Sequence, residues 1–442
     1  MQTSGIPRGK VPPQAIGLIA CGGTLPREVA DAIRRGGRDV FIVAVDEEAD
    51  ADFGTMPVVR VSWSRFGAAV SALRAAGVRD VMMVGRMTRP RLKDARPDFG
   101  FIAALPTVLK ILTAGGDDAL LRSVVALFEP RGFRVVGVAD VAADLLLAGG
   151  QLAGPPPSAS DHADIALGMA LIAALGPFDI GQGAIVSEGR VIAIEGAEGT
   201  DRMIARVASQ RAGGDGSIVK RCGVLIKRAK PGQDVRLDLP TIGPGTAAAV
   251  HSADLSGIAA QQGLVITAHR SELISEANRL GVFVIGVDGQ SHAPEFASVL
   301  ADEDARRVAA LQGLPSSARS DAELGISVMK TLAKFKTGSA LVVRRNRVIS
   351  IGAGEAALAV IRRTHPARRG LLKSRSGVAV LAPGEIMSLE LVAAAVEIGL
   401  AAVIVSSQAG LTSALPPEVA EAGKRLGVSL VDFELDDPET GR

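Results

Sequence analysis

The N-terminal third of the chain alternates short apolar runs with longer segments that have one apolar face. IGLIA, VFIVAV and VMMVG are runs of strand length, and GGTLPREVADAIRRGG and RFGAAVSALRAAG have the periodicity of a turn and helix. Strands that alternate with helices of this length predict βαβ units on a parallel sheet. We therefore predict a tail at residues 1–15 and a Rossmann-like domain of class α/β at residues 16–150.

The pattern breaks at GGQLAGPPPS, where three consecutive prolines favour an extended spacer. We place a linker at residues 151–158. Beyond it, a helical segment precedes GAIVSEGRVIAIEG, which has two strand-like runs around a Glu-Gly turn, and a further helix is predicted from Thr200. These elements predict a second α/β domain at residues 159–290, followed by a linker at residues 291–316.

Residues 164–206 return without a gap as residues 321–363, and 14 of the 43 aligned positions are identical. The apolar positions survive, whereas most acidic ones do not. A repeat of this size indicates a duplicated globular domain, so residues 317–442 are predicted to be a degenerate second copy of the catalytic α/β domain. The acidic positions compare as follows: Asp179, Glu195 and Asp201 face Lys336, Gly352 and Leu358, and Glu198 faces Glu355.

Composition excludes several classes of protein. Lys plus Arg is 49 and Asp plus Glu is 47, and this balance gives no support for a nucleic-acid partner. Two lone cysteines form neither a disulfide framework nor a zinc site, which suits a reducing cytoplasm. The longest apolar run is interrupted by Glu397 and is shorter than the roughly 20 residues of a membrane-spanning helix. We expect a cytoplasmic protein.

Acidic residues are concentrated where IEGAEGTD leaves a strand and enters a helix. Carboxylates with few histidines favour a hard cation such as Mg²⁺ or, alternatively, Mn²⁺. Thr200 is a candidate N-cap for the helix. The other interpretation is that these are solvated turn acids, but the second copy lacks two of them, which favours function. The predicted metal ligands are Glu195, Glu198, Asp234 and Asp238.

The segment KPGQDVRLDLPTIGP places acidic and basic residues around two rigid turns. Such a mixture suits a phosphate and a metal ion, with Lys230 on the phosphate oxygens. Asp238 ends a strand at a constrained turn, and it is the best candidate for an indispensable carboxylate. The alternative interpretation is the charged rim of a hairpin.

The turn Cys21-Gly22-Gly23-Thr24 follows a strand and precedes a helix, so its backbone N–H groups are candidates for binding a phosphate. It lacks the complete GxGxxG spacing, which makes a nicotinamide site a weak interpretation. A tight turn between strand and helix is the remaining alternative.

The motifs GLIACGGTLP, GDDALLR, DIGQGAIV, IEGAEGTD and KPGQDVRLDLPTIGP occur in this order. In this respect residues 16–288 resemble the LpxI family, the cytoplasmic UDP-2,3-diacylglucosamine pyrophosphatases of lipid A synthesis. Cys21 stands where a glycine is usual, and the usual member lacks residues 289–442. The resemblance implies Mg²⁺-dependent attack of water on the diphosphate, which gives UMP and 2,3-diacylglucosamine 1-phosphate.

The residue patterns and the resemblance together give expectations for individual residues and partners. The substrate would be a UDP-linked glycolipid, which suggests peripheral contact with the inner membrane. A sugar-nucleotide sensor without catalytic activity is the alternative function. The second copy predicts either a homo-oligomer or an internal pseudo-dimer. The expected catalytic residues are Asp238, Asp201 and Glu198, and the expected substrate-binding residues are Gly22, Gly23, Thr24, Gln182, Thr200, Lys230 and Thr241.

Overall fold

The computed structural model describes residues 15–87, 95, 97–113, 125–212, 221–231, 234–236, 239–289, 311–364, 375–408 and 415–435. The predicted tail, the GDDALLR motif, Asp238 and most of the predicted 291–316 linker lie outside these residues. The chain divides into two compact units. The first comprises Met1–Gly149, Gln233–Pro244 and Gln262–Ile274, and the second comprises Gly150–Gly232, Gly245–Gln261 and Ser275–Arg442.

Short strands alternate with helices along most of the described chain. The strands are β1 (Ile16–Ala20), β2 (Val40–Val45), β3 (Val58–Val61), β4 (Asp80–Val84), β5 (Arg134–Val135), β6 (Gly150–Ala153), β7 (Gly183–Ser187), β8 (Arg190–Ile194), β9 (Val224–Lys227), β10 (Thr241–Ile242), β11 (Gly257–Gln261), β12 (Ile266–Thr267), β13 (Phe283–Val287), β14 (Ala340–Val343), β15 (Val348–Ile351), β16 (Val378–Leu381), β17 (Ala402–Gln408) and β18 (Ser429–Leu435). The helices are α1 (Leu25–Arg35), α2 (Phe66–Ala75), α3 (Phe99–Thr113), α4 (Val138–Val141), α5 (Ala159–Leu175), α6 (Thr200–Ala212), α7 (Pro244–Ser252), α8 (Arg270–Leu280), α9 (Ser316–Lys334), α10 (Ala357–Arg362), α11 (Leu389–Glu397) and α12 (Pro417–Leu426).

The first unit contains a five-stranded sheet in the order β3-β2-β1-β4-β5, and all its strand pairs are parallel. Strands β1 and β2 are buried along their whole length, because helices on both faces of a parallel sheet leave neither face to solvent. This sheet confirms the predicted Rossmann-like domain. The same unit includes the short parallel pair β10–β12, which the sequence had assigned to the next domain.

The second unit contains a six-stranded sheet in the order β6-β13-β11-β9-β7-β8. Strands β9, β11 and β13 run parallel, and β7 runs antiparallel to both of its neighbours. The edge strand β6 pairs antiparallel with β13. The predicted linker at residues 151–158 therefore begins within a strand, since Gln151 and Ala153 are in register with β13.

A second sheet of the same unit has the order β15-β14-β16-β17-β18. Its strand β14 is antiparallel to both neighbours, and β16, β17 and β18 run parallel. The strands β8-β7-β9-β11-β13 of the first sheet have the same order and the same directions. One helix precedes the hairpin in each case, α5 before β7 and α9 before β14.

The hairpins of the two sheets are closed in the same way. Each has a two-residue turn with positive φ at both positions, 51° and 72° at Glu188 and Gly189, and 55° and 56° at Arg345 and Asn346. Turns of this kind match the twist of the flanking strands. We keep the names first copy and second copy, after the predicted duplication, for the segments that contain the two hairpins. In the first copy both turn amides donate to the buried Asp164, at 3.0 and 2.7 Å. Asp321 accepts the corresponding pair at 3.2 and 2.6 Å.

The two sheets of the second unit share one hydrophobic core. Buried residues of α5 and β7, such as Met169 and Val186, belong to the same cluster as Met329 and Val343 of α9 and β14. Among the described residues, we find no helix that combines the length and hydrophobicity needed to cross a membrane.

Candidate active site

A buried lysine of the second unit forms a closed polar triangle with a threonine and a glutamate. The ammonium group of Lys227 donates to the hydroxyl of Thr200 at 2.6 Å and lies 3.4 Å from Oε2 of Glu195. The Thr200 hydroxyl donates to the same carboxylate oxygen at 2.9 Å. Each of the three side chains therefore contacts the other two.

Three chain segments bring the triangle together at one end of the sheet. Glu195 follows β8, Thr200 begins α6, and Lys227 ends β9. The register of β7 against β9 places Lys227 opposite Gly183. A Cβ atom at position 183 would lie 2.6 Å from Oε2 of Glu195. The absence of a side chain at Gly183 is what allows the carboxylate to lie beside the lysine.

The triangle is largely shielded from solvent, with Lys227 only 5% exposed. A lysine is rarely buried to this extent unless its charge is paired. Even then, the attraction within a buried pair often fails to offset the desolvation of the two charges. Thr200 also stands at the N-terminus of α6, where backbone amides favour negative charge. An ammonium group beside a helix N-terminus is suited to binding an anion such as a phosphate.

The second copy holds no polar group at the three corresponding positions. Gly352 follows β15, Ala357 begins α10, and Leu381 ends β16. Leu381 is in register with Ala340, as Lys227 is with Gly183. Leu381 is fully buried and Ala357 is 1% exposed. The same backbone arrangement therefore packs well with apolar side chains alone.

Lys227 and Gly183 were missed by the sequence prediction. The signal for Lys227 was present as the charged end of the otherwise apolar run GVLIK. The predicted phosphate ligand was Lys230, three residues later, whose ammonium group lies 2.6 Å from Oδ1 of Asp179. Gln182, also a predicted substrate ligand, precedes Gly183, and its carbonyl accepts the amide of Arg228 at 2.9 Å.

Glu198 takes part in ion pairs that its predicted catalytic and metal-binding roles did not anticipate. Its Oε1 accepts from Arg206 at 2.9 Å and lies 3.6 Å from the guanidinium of Arg363 in the second copy. Both contacts offset the charge of the carboxylate, and the predicted catalytic and metal-binding roles of Glu198 stay predictions. Asp201, in contrast, is exposed in the first turn of α6.

The glycine turn of the first unit uses its amides internally. The Gly22 amide donates to the carbonyl of Arg86 at 2.9 Å, and the Gly23 amide donates to Asp50 at 2.8 Å. A bridge to the segment after β4 and an aspartate thus accept from these two amides, and the prediction that they bind phosphate stays a prediction. Gly23 has a positive φ of 93°, a conformation that glycine adopts readily, so the geometry of the turn accounts for a glycine at this position.

Thr24 contacts a histidine that the sequence prediction did not include. Its hydroxyl lies 2.9 Å from Nε2 of His269, and the same nitrogen lies 3.2 Å from Oε1 of Glu28. The backbone amide of His269 donates to the other Glu28 oxygen at 2.7 Å. His269 has a positive φ of 47°, which is uncommon for a residue with a side chain. No local sequence pattern predicts this contact, since 245 residues separate the two partners.

Three of the four predicted metal ligands are among the described residues. Each of the three described carboxylates already has a cationic partner, and the bidentate contact with Asp234 raises the pKa of Arg236. Across the described ranges, no group of three or more His, Cys, Asp or Glu is arranged to hold a metal ion. The ion pairs are Glu195 with Lys227, Glu198 with Arg206 and Asp234 with Arg236.

Two further predicted residues belong to the KPGQDVRLDLPTIGP segment. Asp238 lies outside the described residues, so its predicted catalytic role stays a prediction. Thr241 is exposed at the start of β10, and its hydroxyl donates to the carbonyl of Leu239 at 3.4 Å.

Comparisons with known proteins divide the chain in a similar way. The family model of the LpxI N-terminal domain matches residues 15–145, and that of the LpxI C-terminal domain matches residues 148–285. The UDP-2,3-diacylglucosamine pyrophosphatase LpxI of Caulobacter vibrioides is 38% identical over 275 residues, which make up 62% of this chain and 98% of that protein. The second copy follows the region that the family models match.

Proposed function

The chain belongs to the LpxI family, and on that premise we propose that it hydrolyses the diphosphate of UDP-2,3-diacylglucosamine in lipid A synthesis. The products are UMP and 2,3-diacylglucosamine 1-phosphate. The substrate follows from the name of the relative, and the polar triangle of the second unit is consistent with a diphosphate as ligand.

One observation supports this function above the others. Lys227, Glu195 and Thr200 form a buried polar cluster at positions where the second copy has Leu381, Gly352 and Ala357. Replacing buried charges by packed apolar groups is often neutral or stabilising. The polar version in the first copy is therefore best explained by a task other than folding.

The task we assign to the triangle is to stabilise charge on the diphosphate. Hydrolysis forms a bond between the water oxygen and phosphorus and breaks the bridging P–O bond, whose electrons go to the leaving oxygen. The Lys227 ammonium group offsets that charge in a site with little water, where the interaction is stronger than in bulk solvent. Glu195 and Thr200 hold the ammonium group in place. The proton of the attacking water goes to a carboxylate, for which Asp238 and Asp201 are the candidates.

Magnesium dependence is part of the proposal, but the described carboxylates do not fit a resident magnesium centre. We therefore assign no catalytic step to the ion. Mg²⁺ is commonly bound through substrate phosphates with only one or two protein carboxylates. We expect calorimetry to detect no tight Mg²⁺ binding to the free protein, and chelation to abolish turnover. Tight binding without substrate would contradict this view.

The activity is tested by release of UMP from UDP-2,3-diacylglucosamine, measured with Mg²⁺ present. Wild-type protein should release UMP, and Asp238→Asn should lose on the order of 10³-fold in kcat if this carboxylate takes the proton. Glu390→Gln, an exposed change in the second copy, serves as the control. Binding of the sugar nucleotide without any release of UMP by the wild type would instead support a sensor.

We also propose that the reaction takes place on the cytoplasmic side, with peripheral contact to the inner membrane. Phe99 is 92% exposed and the nearby Ile102 is 53% exposed, one turn apart on α3. Exposed apolar residues at this spacing can enter the acyl boundary of a membrane. Co-sedimentation with anionic lipid vesicles should fall for Phe99→Ser with Ile102→Ser. Unchanged co-sedimentation would remove this part of the proposal.

A further inference from the structure

Four charged residues join the two copies of the domain in a closed ring. Glu198 accepts from Arg206 at 2.9 Å, and Glu355 accepts from Arg363 at 2.7 Å, so each copy has its own ion pair. Across the interface, Arg206 donates to Glu355 at 3.2 Å and Arg363 lies 3.6 Å from Glu198. Each carboxylate therefore lies between two guanidinium groups, one from its own copy and one from the other.

The ring is reciprocal in sequence as well as in space. Glu355 and Arg363 occupy the positions in the second copy that Glu198 and Arg206 occupy in the first. When residue i of one copy contacts residue j of the other and the reverse also holds, the contact has the form of a twofold-symmetric dimer interface. Here one chain provides both halves.

The contact also includes one backbone position in each edge strand. A Cβ atom on Gly354 would lie 3.5 Å from the carbonyl oxygen of Ile192 in β8, and one on Gly196 would lie 3.6 Å from that of Ile349 in β15. β8 and β15 are the edge strands of their sheets. The turn that follows each edge strand thus approaches the edge strand of the other copy at one position.

The ring is also close to the candidate active site in sequence and structure. Glu198 lies in the turn between β8 and α6, which begins with Glu195 and ends just before Thr200, the first residue of α6. The side chains of Glu355 and Glu198 are 5% and 16% exposed, so these charges are mostly removed from water. An ion pair in such surroundings is weakly screened, and loss of one partner leaves a buried charge unpaired.

We propose that the second copy, residues 317–442, acts as a built-in partner subunit whose Glu355 and Arg363 are positioning residues for the turn at 195–200. They do not contact substrate. They hold Glu198 and Arg206, and thereby fix the approach of Glu195 and Thr200 to Lys227. The effect on turnover rests on the proposed function, whereas the effect on the turn itself does not.

The test is a charge exchange confined to the second copy, Glu355→Arg with Arg363→Glu. It keeps an ion pair within that copy but places like charges opposite Arg206 and Glu198. Amide hydrogen exchange at 195–200 should become faster. Because small displacements near an active site can reduce turnover by about 100-fold, we expect kcat to fall about 10- to 100-fold. KM should change less than roughly 3-fold, since the altered residues do not bind substrate.

A matched control and a rescue complete the experiment. Arg362 and Glu390 form a neighbouring ion pair with side chains 59% and 70% exposed, so their exchange should leave kcat and protection unchanged. Adding Glu198→Arg with Arg206→Glu to the first exchange restores opposite charges around the ring, and amide protection at 195–200 should return.

The proposal is overturned if the first exchange leaves protection at 195–200 unchanged, if the control exchange lowers kcat equally, or if the fourfold exchange does not restore protection. If wild-type protein releases no UMP, the proposed function fails, and hydrogen exchange still decides whether the second copy positions the turn.

Discussion

The segments named first and second copy share a hairpin, a preceding helix and a sheet order, but they differ where the hairpin meets the next helix. In the first copy Lys227, Glu195 and Thr200 form a buried polar triangle. In the second copy Leu381 and Ala357 are packed into the core of the sheet. The comparison separates residues that the fold needs from residues that it does not.

The acids follow the same division. Asp164 and Asp321 close the two hairpins, and Glu198 and Glu355 form the ring, so the acids kept in both copies have structural partners in both. Glu195, in contrast, aligns with Gly352, so the second copy has no acid at this position. The acids present in both copies therefore have a structural explanation, and Glu195, which has no acidic counterpart, is the acid that the proposed mechanism uses.

The largest expected effect comes from transferring the apolar residues of the second copy into the triangle of the first. Glu195→Gly, Thr200→Ala and Lys227→Leu together should lower kcat/KM on the order of 10³-fold, because charge on the leaving oxygen loses its ammonium partner. Thermal unfolding should shift by only a few degrees, since the second copy folds with these residues. UMP release and calorimetry measure the two effects.

The matched change is Leu381→Met in the second copy, a volume-conserving substitution that should leave UMP release within about 2-fold of wild type. Retention of a tenth or more of wild-type activity by the triple variant would remove the triangle from the proposed mechanism.

A smaller loss is expected from Gly183→Ala. The new Cβ atom would lie 2.6 Å from Oε2 of Glu195 and displace the carboxylate from Lys227. Overpacking of this kind costs about 1–3 kcal/mol, and we expect a fall in kcat of about 10- to 100-fold. In a Glu195→Gly background the same alanine should be tolerated, as Ala340 is beside Gly352.

Ala340→Gly is the counterpart of this change in the second copy. It should lower the free energy of unfolding by about 0.5–1 kcal/mol, the usual effect of glycine within a strand, without altering UMP release. If Gly183→Ala is as active as Ala340→Gly, the close approach of the Glu195 carboxylate does not matter for turnover.

These contacts also show which parts of the site could be predicted from sequence. The parallel sheet of the first unit follows from local periodicity, and the hairpin follows from the runs around Glu188 and Gly189. The pairing of Lys227 with Glu195 depends on the register between β7 and β9, which no local pattern encodes. The ring through Glu198 depends on how two distant segments pack, so the sequence alone suggested a metal ligand at this position.

Equal effects in the two copies are expected where the structure is the same. Asp164→Asn and Asp321→Asn each leave one turn amide facing an amide nitrogen in place of a carboxylate oxygen. An unsatisfied buried donor costs about 1–3 kcal/mol, and urea unfolding should report a loss of this size for each variant. A large loss in one copy alone would mean that the two hairpins are not held in the same way.

The smallest and most specific effect is the pH dependence of the stability difference between the wild type and each of these two variants. Burial raises the pKa of both Asp164 and Asp321 above the usual value of 3.8, so the folded state binds their protons more tightly than the unfolded state does. Their contribution to stability is complete below 3.8 and is lost as pH rises through the raised pKa of the folded state. Asparagine does not titrate. The difference in unfolding free energy between the wild type and each variant should therefore become smaller as the pH rises from 3.8 through the raised pKa of the folded state.

The neighbours of the two carboxylates differ, and this difference can be tested on its own. Asp161 and Glu188 add to the rise in the pKa of Asp164, whereas Arg344 opposes the rise for Asp321. Glu188→Gln should therefore lower the pKa of Asp164 in the folded state. The stability difference between Asp164 and its asparagine variant should then become smaller at a lower pH, and the pH range for Asp321 should not change. Urea unfolding at a series of pH values measures both ranges. Equal movement in the two copies would show that long-range charge, and not the local neighbour, sets the pKa of these buried carboxyls.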